Sequence, residues 1–515
     1  MKMSATSKDE AIKWALAHGM AFKASPSTAR HVPFSLTPTG ISLENYQQLQ
    51  AASELIAKLM DAVSRQDSFL DQAISPVAAN DPFFAALLKM HRSLYQASTK
   101  PERVPLLVIR SDFLDDKVFG PRLVEANSIA AGMGPFGAMA HKLHQFLLSQ
   151  GHVELNQNQT QNSAQHLKQA QPLHIKKSAL IENPAIERLA SAIAAATLKI
   201  KHAFNDDGPA RFLMLVQQDE DNVFDQYLLE QALQQLGIHT IRRTFSELEG
   251  QLTTGAQHRL MLNGVGSIDT VYLRTGYQFK DYLKPNTTAN YSDFMAIRVL
   301  IERHKVAVNA TVSQQLATSK RVQMLLSHLT PSSFSEFGLT LEQATFIKPI
   351  LGDMLAINAN SIHEVNSAPL DAWVLKNQGE GGGHCLFGAD IASKLAQLSP
   401  ADYPEWLLMR RIHPRPSITP TLVVRHGELE VVHDLVAEMG MFNVWFDGKP
   451  ALANCTLPQE SAKPMTTMPS SSLASQVPNS SFAGYLIRSK SAKVNEAGVH
   501  SGQGVLDSLM LIDAD

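Results

Sequence analysis

Residues 373–388 combine a lysine at the end of a predicted strand, an acid and a run of glycines, which together suit phosphate binding. The apolar residues before Lys376 predict a short buried strand, and the three consecutive glycines at 381–383 predict a turn without side chains. Backbone N–H groups in such a turn can point at phosphate oxygens, while Lys376 supplies a cation and Glu380 an oxygen ligand for Mg²⁺. The spacing matches neither a P-loop nor a dinucleotide-binding motif. The alternative is a surface hairpin that only turns the chain.

An acid and an amide stand two residues apart in the predicted strand 123–127, at Glu125 and Asn127. Side chains alternate along a strand, so both fall on the same face. Carboxylate and amide oxygens suit a divalent cation. A polar pair at a strand end that faces water is the open alternative. The small, glycine-rich residues 128–137 that follow suit close approach of a ligand to the backbone.

Further charged residues stand at the ends of predicted elements. Arg274 ends an apolar strand and can hold both oxygens of a carboxylate, although such arginines are often only solvated. Glu438 lies in an apolar run, so it requires a metal, a ligand hydroxyl or a local arginine as partner. Arg488 and Lys490 fall on one face of a strand. Lys320 follows a predicted N-cap and either points at phosphate or faces water.

Composition indicates a globular enzyme and excludes several functional classes. The chain has 515 residues, 44% hydrophobic and 18% charged, enough for about two to four structural units with a sizeable core. A formal net charge of −3 gives no basic surface for nucleic acid, and two cysteines are too few for a disulfide framework. No apolar run reaches membrane-spanning length, and the N-terminus has no signal-peptide pattern. We therefore expect a cytoplasmic protein without nucleic-acid or membrane partners.

The elements that must position these residues follow from hydrophobic patterning. Residues 1–100 are predicted to be helical, and residues 106–109 form a buried strand. From residue 212 an apolar strand, a helix and a second strand predict a β-α-β unit with a parallel sheet. Ligands bind beyond the carboxyl ends of such strands, which places residues 220–226 and Arg274 at a site.

Eight separated stretches of the sequence together match one family pattern. In chain order they are Ile-Arg-Ser-Asp-Phe (109–113), Val-Glu-Ala-Asn-Ser-Ile (124–129), Asn-Val-Phe-Asp-Gln (222–226), Ile-Arg-Arg-Thr-Phe (241–245), Tyr-Leu-Arg-Thr-Gly-Tyr (272–277), Gln-Leu-Ala-Thr-Ser-Lys (315–320), Leu-Lys-Asn-Gln-Gly-Glu-Gly-Gly-Gly (375–383) and Leu-Ile-Arg-Ser-Lys (486–490). Over nearly its whole length, the chain resembles the eukaryotic-type glutathione synthetases, a branch of the ATP-grasp ligases. One such motif is a weak signal, whereas eight in the family order are a specific one.

The resemblance implies an α+β or α/β fold, namely an ATP-grasp fold with an inserted parallel α/β substrate-binding domain and a helical N-terminal region. Residues 1–208 then hold the helical region and the first part of the core, residues 209–318 the substrate-binding domain, and residues 319–515 the rest of the core with a glycine-rich lid. The resemblance also implies a homodimer. The other implied partners are small molecules: ATP, γ-glutamylcysteine and glycine.

The activity implied by the resemblance is ATP-dependent ligation of γ-glutamylcysteine to glycine through an acylphosphate, with Mg²⁺ as cofactor. The implied metal ligands are Glu125, Asn127 and Glu380. The implied ATP contacts are Glu125, Lys320, Lys376, Glu380, Gly381, Gly382, Gly383, Phe387, Met409, Arg410, Arg411, Ile412, Glu438, Lys490 and Glu496. The implied substrate contacts are Arg110, Ser128, Ile129, Ala130, Ala131, Gly132, Glu220, Asp221, Asn222, Gln226, Arg274, Thr275, Gly276, Tyr277, Arg488, Val499 and His500. Of these, Arg110 and Arg488 are expected to have the catalytic role of stabilising developing charge.

Departures from the family pattern leave two alternatives open. Ala130 and Gly132 stand where the family usually has serines, and His500 stands where a small alanine is usual near the acceptor amino acid. The acceptor can therefore be glycine or another small amino acid. A non-catalytic sensor that binds ATP or a thiol peptide is the second alternative. The Ser/Thr/Pro-rich segment 456–481 is an insertion relative to the pattern.

Overall fold

The structure is a computed structural model that describes residues 5–95, 101–150, 179–284, 294–379, 385–417, 419–452 and 480–513. Its helices are α1 (Ala5–Ala17), α2 (Leu43–Val63), α3 (Asp67–Ala78), α4 (Pro82–Tyr95), α5 (Gly134–Ser149), α6 (Ala185–His202), α7 (Val223–Gln235), α8 (Phe245–Leu248), α9 (Phe294–Arg303), α10 (Val312–Ala317), α11 (Lys320–His328), α12 (Leu341–Ile347), α13 (Ala359–Ser367) and α14 (Ala389–Leu395).

The strands of the described residues, many of them short, follow in chain order. They are β1 (Ala21–Lys23), β2 (Ala29–His31), β3 (Phe34–Ser35), β4 (Thr39–Ser42), β5 (Val104–Asp116), β6 (Gly120–Asn127), β7 (Arg211–Leu215), β8 (His239–Arg243), β9 (Leu252–Thr254), β10 (Leu260–Leu262), β11 (Gly266–Ser267), β12 (Thr270–Leu273), β13 (Ala307–Asn309), β14 (Met354–Ala356), β15 (Trp373–Asn377), β16 (Cys385–Phe387), β17 (Trp406–Arg410), β18 (Thr421–Arg425), β19 (Glu428–Val432), β20 (Leu435–Phe446), β21 (Lys449–Pro450), β22 (Phe482–Ser491), β23 (Val505–Asp507) and β24 (Leu509–Ile512).

One large mixed sheet runs through the part of the chain that the structure describes. Its order is β19-β18-β3-β23-β22-β20-β5-β13-β12-β7-β8, with β21 added to β20 and β6 added to β5. The strands β5, β13, β12, β7 and β8 are parallel, which confirms the predicted β-α-β unit. The long strand β5 joins the two halves, because its start pairs with β13 and the rest pairs antiparallel with β20 and β6.

Two helical layers cover the large sheet, which explains why its strands are continuous apolar runs. In β5, Leu107 and Ile109 join a core that includes α2, α3, α4 and α9, whereas Leu106 and Val108 join one that includes α1, α5 and α6. Alternate residues of the same strand are thus buried on opposite faces. The strand ends are where polar side chains can emerge from this core.

A second, smaller sheet holds the strand that ends at Lys376. The strands β14, β17, β15 and β16 are antiparallel neighbours in that order. Trp373 and Leu375 pack with Ile391 and Leu395 of α14 in a separate core. One face of this sheet therefore has a core of its own, while Met354, Leu407 and Met409 pack with Met324 of α11.

The N-terminal region is less helical than the sequence predicted. Residues 21–42 form β1 to β4, of which β3 enters the large sheet between β18 and β23. These strands are too short for a periodic pattern to emerge. The strands β1 and β2 pair with each other, whereas β3 and β4 pair with strands that are distant in sequence. Within the described ranges, no helix is long and apolar enough to span a membrane.

Candidate active site

Four polar side chains face one another where β5 pairs with β6. Arg110 lies opposite Asn127, and Asp112 lies opposite Glu125. Asp112 is fully buried and accepts two hydrogen bonds from Arg110, from Nε at 2.6 Å and from Nη2 at 2.8 Å. The Asn127 amide nitrogen donates to Asp112 at 3.1 Å and to Glu125 at 3.5 Å. The predicted pair Glu125 and Asn127 therefore shares one strand face, as the alternation required.

Glu125 lies among cations from several elements. The nearest is Lys320, whose Nζ is 3.8 Å from Glu125 Oε2, while Lys376 Nζ donates to the Val124 carbonyl at 3.1 Å. Burial would raise the pKa of Glu125, but the cations outweigh this effect and lower the pKa to about 2. In decreasing order of effect, those cations are Lys320, Lys376, Arg488 and Arg110. An excess of positive charge around one carboxylate suits a site that also receives phosphate groups.

Lys320 connects three elements at this point. It is the first residue of α11, which Ser319 caps by accepting a hydrogen bond from the Val322 N–H, as predicted. Its Nζ also donates to the Gly379 carbonyl at 2.7 Å, so the end of β15 is held beside Glu125. The predicted ligands Glu380, Gly381, Gly382 and Gly383 lie outside the described residues.

The adjacent strands β20 and β22 supply a third acid, Glu438, and two cations, Arg488 and Lys490. Glu438 pairs with Arg488 across these strands and accepts a hydrogen bond from its Nη2, while Arg488 Nη2 also donates to Asp112 at 3.1 Å. Burial raises the pKa of Glu438, although Arg488 opposes the shift. The partner of Glu438 is therefore Arg488, which agrees with the predicted alternative of a local arginine. The loop of residues 492–504, here called the tail loop, connects β22 to β23. Lys490 donates hydrogen bonds to the carbonyls of residues 494 and 495 in this loop.

A further group of predicted residues surrounds Arg274. Its Nη1 donates to buried Asp225 at 2.9 Å, and its Nη2 lies 3.6 Å from Glu220. Burial alone would lower the pKa of Arg274, but these two acids raise it. Gln226 donates to Glu220, so the predicted substrate residues of this region form one network.

The loop after Asn127 connects this network to the β5 site. Arg110 Nη1 donates to the Gly132 carbonyl at 3.1 Å. A Cβ atom on Gly132 would lie 2.5 Å from Arg274 Nη2, so the guanidinium occupies the space that a side chain would need. The serine of the family pattern would therefore require the Arg274 guanidinium or the loop to shift.

The other predicted residues of the substrate end lie around the same loop and strand end. Ser128 is buried and bonded to Thr318, Ile129 and Ala131 are buried, and Ala130 has a left-handed φ of 50°. The next group follows β12: Thr275 is buried, Gly276 has a φ of 88°, and Tyr277 accepts from Gln217 at its hydroxyl. Asn222 is buried and its side-chain oxygen has no hydrogen-bond partner among the described residues, which leaves an acceptor for a ligand.

The tail loop closes over the substrate end from a second direction. Val499 is buried, whereas His500 reaches outward and places Nδ1 3.1 Å from Asp221 Oδ1. The imidazole stacks on Phe22 of β1 at a centroid distance of 4.3 Å. Arg30 of β2 lies over the same ring and 3.5 Å from Asp221. The N-terminal hairpin thus contacts the tail loop, which the sequence did not predict.

The residues expected near the nucleotide base lie at the end of β17 and directly after it. Met409 is buried between β14 and β15, and Ile412 packs partly buried beside it. Arg411 lies over the ring of Phe387 and donates a hydrogen bond to Asn495. It therefore connects Phe387 to the tail loop, next to Glu496. Arg410 is different, because its exposed guanidinium pairs with Asp353 and stacks on Trp373, on the outer side of the small sheet.

Sequence reasoning missed two acids that organise the site. Asp112 was visible only as part of a family motif, although its position two residues after Arg110 places both on one strand face. Asp225, in turn, accepts the backbone N–H groups of Met133 and Phe136 as well as Arg274. Its sequence signal was its place one turn into a helix that begins after a strand.

Lysines and arginines around a carboxylate, beside an amide oxygen and a second arginine network, suit a bound polyphosphate together with a substrate carboxylate. This combination is expected of an enzyme that uses ATP to act on a carboxylate.

Comparison with known proteins gives the family. The model described as eukaryotic glutathione synthase, ATP binding domain, matches residues 2–511. The chain is 26% identical to glutathione synthetase of Xenopus laevis, over 98% of this chain and 96% of that protein, and 26% identical to that of Homo sapiens, over 97% and 95%. A glutathione synthetase-like effector from Globodera pallida in apo form has a similar fold, with a TM-score of 0.69, 16% identity, and coverage of 99% and 97%. The chain belongs to the eukaryotic glutathione synthase family.

Proposed function

We propose that the protein joins γ-L-glutamyl-L-cysteine to glycine with ATP, giving glutathione, ADP and phosphate through an acylphosphate intermediate. The observation that carries the proposal is the ring of cations around the Glu125 carboxylate, formed by Lys320 at 3.8 Å together with Lys376, Arg488 and Arg110. Such a ring can neutralise the phosphates of ATP and a carboxylate brought next to them. The family relationship supports the choice of the two substrates.

In the proposed first step, the cysteinyl carboxylate oxygen attacks the γ-phosphorus and ADP leaves. The glycine amine then attacks the activated carbonyl carbon, the amide bond forms, and phosphate leaves with the oxygen that came from the carboxylate. Lys320 and Lys376 stand where they can bind the phosphates. Arg110 and Arg488 can hold the carboxylate and the developing oxyanion, a positioning and electrostatic role of the kind that dominates phosphoryl transfer.

The residues present fit a magnesium ion. Asn127 donates its amide N–H groups to Asp112 and Glu125, which leaves its side-chain oxygen free for a cation. This oxygen and the Glu125 carboxylate are hard ligands of the type that Mg²⁺ prefers, and we propose Glu380 as the third. When bound, Mg²⁺ would neutralise charge on the phosphate groups.

The remaining assignments are part of the same proposal. We propose the ATP-grasp architecture, with the small sheet and the glycine-rich segment as lid and domain boundaries after residues 208 and 318. Arg274 and its network would hold the dipeptide, and the tail loop with Val499 and His500 would close over the acceptor. A cytoplasmic homodimer is proposed for the whole protein.

Phosphate release from ATP tests the proposal. The protein is assayed with γ-glutamylcysteine and glycine, with alanine or serine in place of glycine, and without an acceptor. We expect phosphate release that depends on both the dipeptide and glycine, with glutathione formed in equal amount. ATP binding without turnover with any acceptor would overturn the proposed activity.

A further inference from the structure

Asp112 is a buried acid that contacts the proposed metal ligand Asn127 as well as Arg110 and Arg488, which are proposed to hold the substrate carboxylate. Its Oδ2 accepts hydrogen bonds from Arg110 Nη2, Asn127 Nδ2 and Arg488 Nη2, and its Oδ1 accepts one from Arg110 Nε. Its side chain has no exposed surface. Four donors from three strands therefore meet on one carboxylate and fill its acceptor capacity.

The contact with Asn127 fixes which way its amide points. Because the NH₂ group donates to Asp112 at 3.1 Å, the carbonyl oxygen is turned away from Asp112. An amide turned by half a rotation would place its oxygen against two carboxylates and its N–H groups where a cation would bind. Asp112 thus selects the orientation in which Asn127 can be a metal ligand.

The contacts of Asp112 with Arg110 and Arg488 fix the orientation of the two guanidinium groups. Arg110 is held by Asp112 through two parallel hydrogen bonds, which defines the plane of its guanidinium. Arg488 is divided between Asp112 and Glu438 on neighbouring strands. Gly440 makes room for this arrangement, because a Cβ atom there would lie 2.8 Å from Asp112 Oδ1 and 2.9 Å from Arg110 Cδ.

We infer that Asp112 is a positioning residue that sets the Asn127 amide for the metal and the Arg110 and Arg488 guanidinium groups for the substrate carboxylate at the same time. The inference rests on the proposed function for what binds at each end. Removing the charge of Asp112 should therefore weaken metal binding and dipeptide binding together, although Asp112 contacts neither ligand. Outer-shell partners of metal ligands commonly have effects of this kind.

The test compares Asp112→Asn with the wild-type protein. We expect the affinity for Mn²⁺, measured by electron paramagnetic resonance with a non-hydrolysable ATP analogue, to fall about tenfold or more. The KM for γ-glutamylcysteine should rise in parallel. Unchanged Mn²⁺ affinity and unchanged dipeptide KM in a folded variant would overturn the inference. The Mn²⁺ measurement needs no turnover, so it still tests Asp112 if the wild-type protein fails to ligate and the proposed function falls.

Asp116→Asn is the matched control for general destabilisation. Asp116 lies on the same strand, is also buried, and accepts backbone N–H groups of Val118, Phe119 and His413. Its loss should lower the melting temperature but leave Mn²⁺ affinity and dipeptide KM as in the wild type. A loss of Mn²⁺ affinity in this control equal to that in Asp112→Asn would contradict a specific role for Asp112.

A double variant covers the case in which Asp112→Asn does not fold. Exchanging the two residues, with Asp112→Asn and Asn127→Asp, keeps the net charge and a hydrogen bond between the two positions. This variant should retain Mn²⁺ binding, since position 127 still offers an oxygen, but it should raise the dipeptide KM because the arginines lose their carboxylate. A wild-type dipeptide KM in the double variant would overturn the inference.

Discussion

Lys320 Nζ lies 3.8 Å from the carboxylate of Glu125, although 195 residues separate them in the chain. The same ammonium group binds the carbonyl of Gly379, the residue that precedes Glu380 in the sequence. The start of α11, the end of β15 and the face of β6 therefore meet at one point. This convergence is the basis for assigning the phosphate end of the site.

Replacement of this lysine tests the phosphate end. Lys320→Met removes the cation with the largest effect on Glu125, so the pKa of that carboxyl should rise. Because the same cation is proposed to stabilise transferred phosphate, we expect the rate of phosphate release to fall about 10²–10³-fold, as for other single electrostatic groups. Steady-state kinetics measure the effect, and exposed Lys280→Met is the control. A rate within the error of the wild type would contradict the assignment.

The contact between Arg274 and Gly132 predicts the effect of restoring the serine usual in the family. In Gly132→Ser the new Cβ atom would meet Arg274 Nη2 at 2.5 Å, so the guanidinium must move away from Asp225 or the loop must shift. We expect a higher KM for the dipeptide and a lower melting temperature, with the KM for ATP little changed. Dipeptide kinetics and melting curves like those of the wild type would show that the collision is easily relieved.

His500 offers a separate test of the tail loop. Two contacts hold the imidazole, the stack on Phe22 and the pairing with Asp221. His500→Phe keeps the stack and loses the pairing, whereas His500→Ala loses both. We expect the KM for glycine to rise in both variants and to rise further in His500→Ala, while the KM for ATP stays unchanged. Equal glycine KM values in all three proteins would separate His500 from the acceptor end.

The buried acid Asp507 predicts a pH dependence of stability. It accepts hydrogen bonds from Thr39, Ser489 and the Ser508 N–H, and burial raises its pKa from 3.8 to about 7. The folded state therefore holds a proton that the unfolded state releases between those pH values, so the contribution of Asp507 to stability is complete below pH 3.8 and is lost as pH rises towards 7. Asparagine does not titrate, so the variant Asp507→Asn does not lose stability in this way as pH rises.

Urea unfolding of both proteins between pH 4 and pH 8 measures the difference. The free energy of unfolding of Asp507→Asn minus that of the wild type should increase by up to about 1.4 kcal/mol per pH unit. This difference should become constant above pH 7. Both proteins keep His144, whose burial lowers its pKa to about 4, so its contribution cancels in the comparison. A difference that is constant with pH would contradict the raised pKa of Asp507.

Local patterns in the sequence were sufficient for several parts of the fold and site. Alternation along a strand predicted that Glu125 and Asn127 share a face, and a Ser-Lys pair predicted the start of α11. Apolar runs predicted β5 and β7 because both faces of these strands are buried. Each of these features depends on neighbours in the chain.

Other features depend on contacts between distant residues and left no local pattern. Asp112 acquires its role only because β22, more than 370 residues later, places Arg488 beside it. The stack of His500 on Phe22 joins the two ends of the chain in the same way. The short N-terminal strands could not be distinguished from loops, since two to four residues show no periodicity.

Oxygen transfer tests the proposed chemistry most directly. γ-Glutamylcysteine carrying ¹⁸O in its cysteinyl carboxylate is incubated with the protein, ATP, Mg²⁺ and glycine, and the released phosphate is analysed by mass spectrometry. If the site phosphorylates this carboxylate, each phosphate formed with glutathione contains one ¹⁸O atom. Phosphate without the label would mean that water or another oxygen attacks ATP, and it would contradict the account.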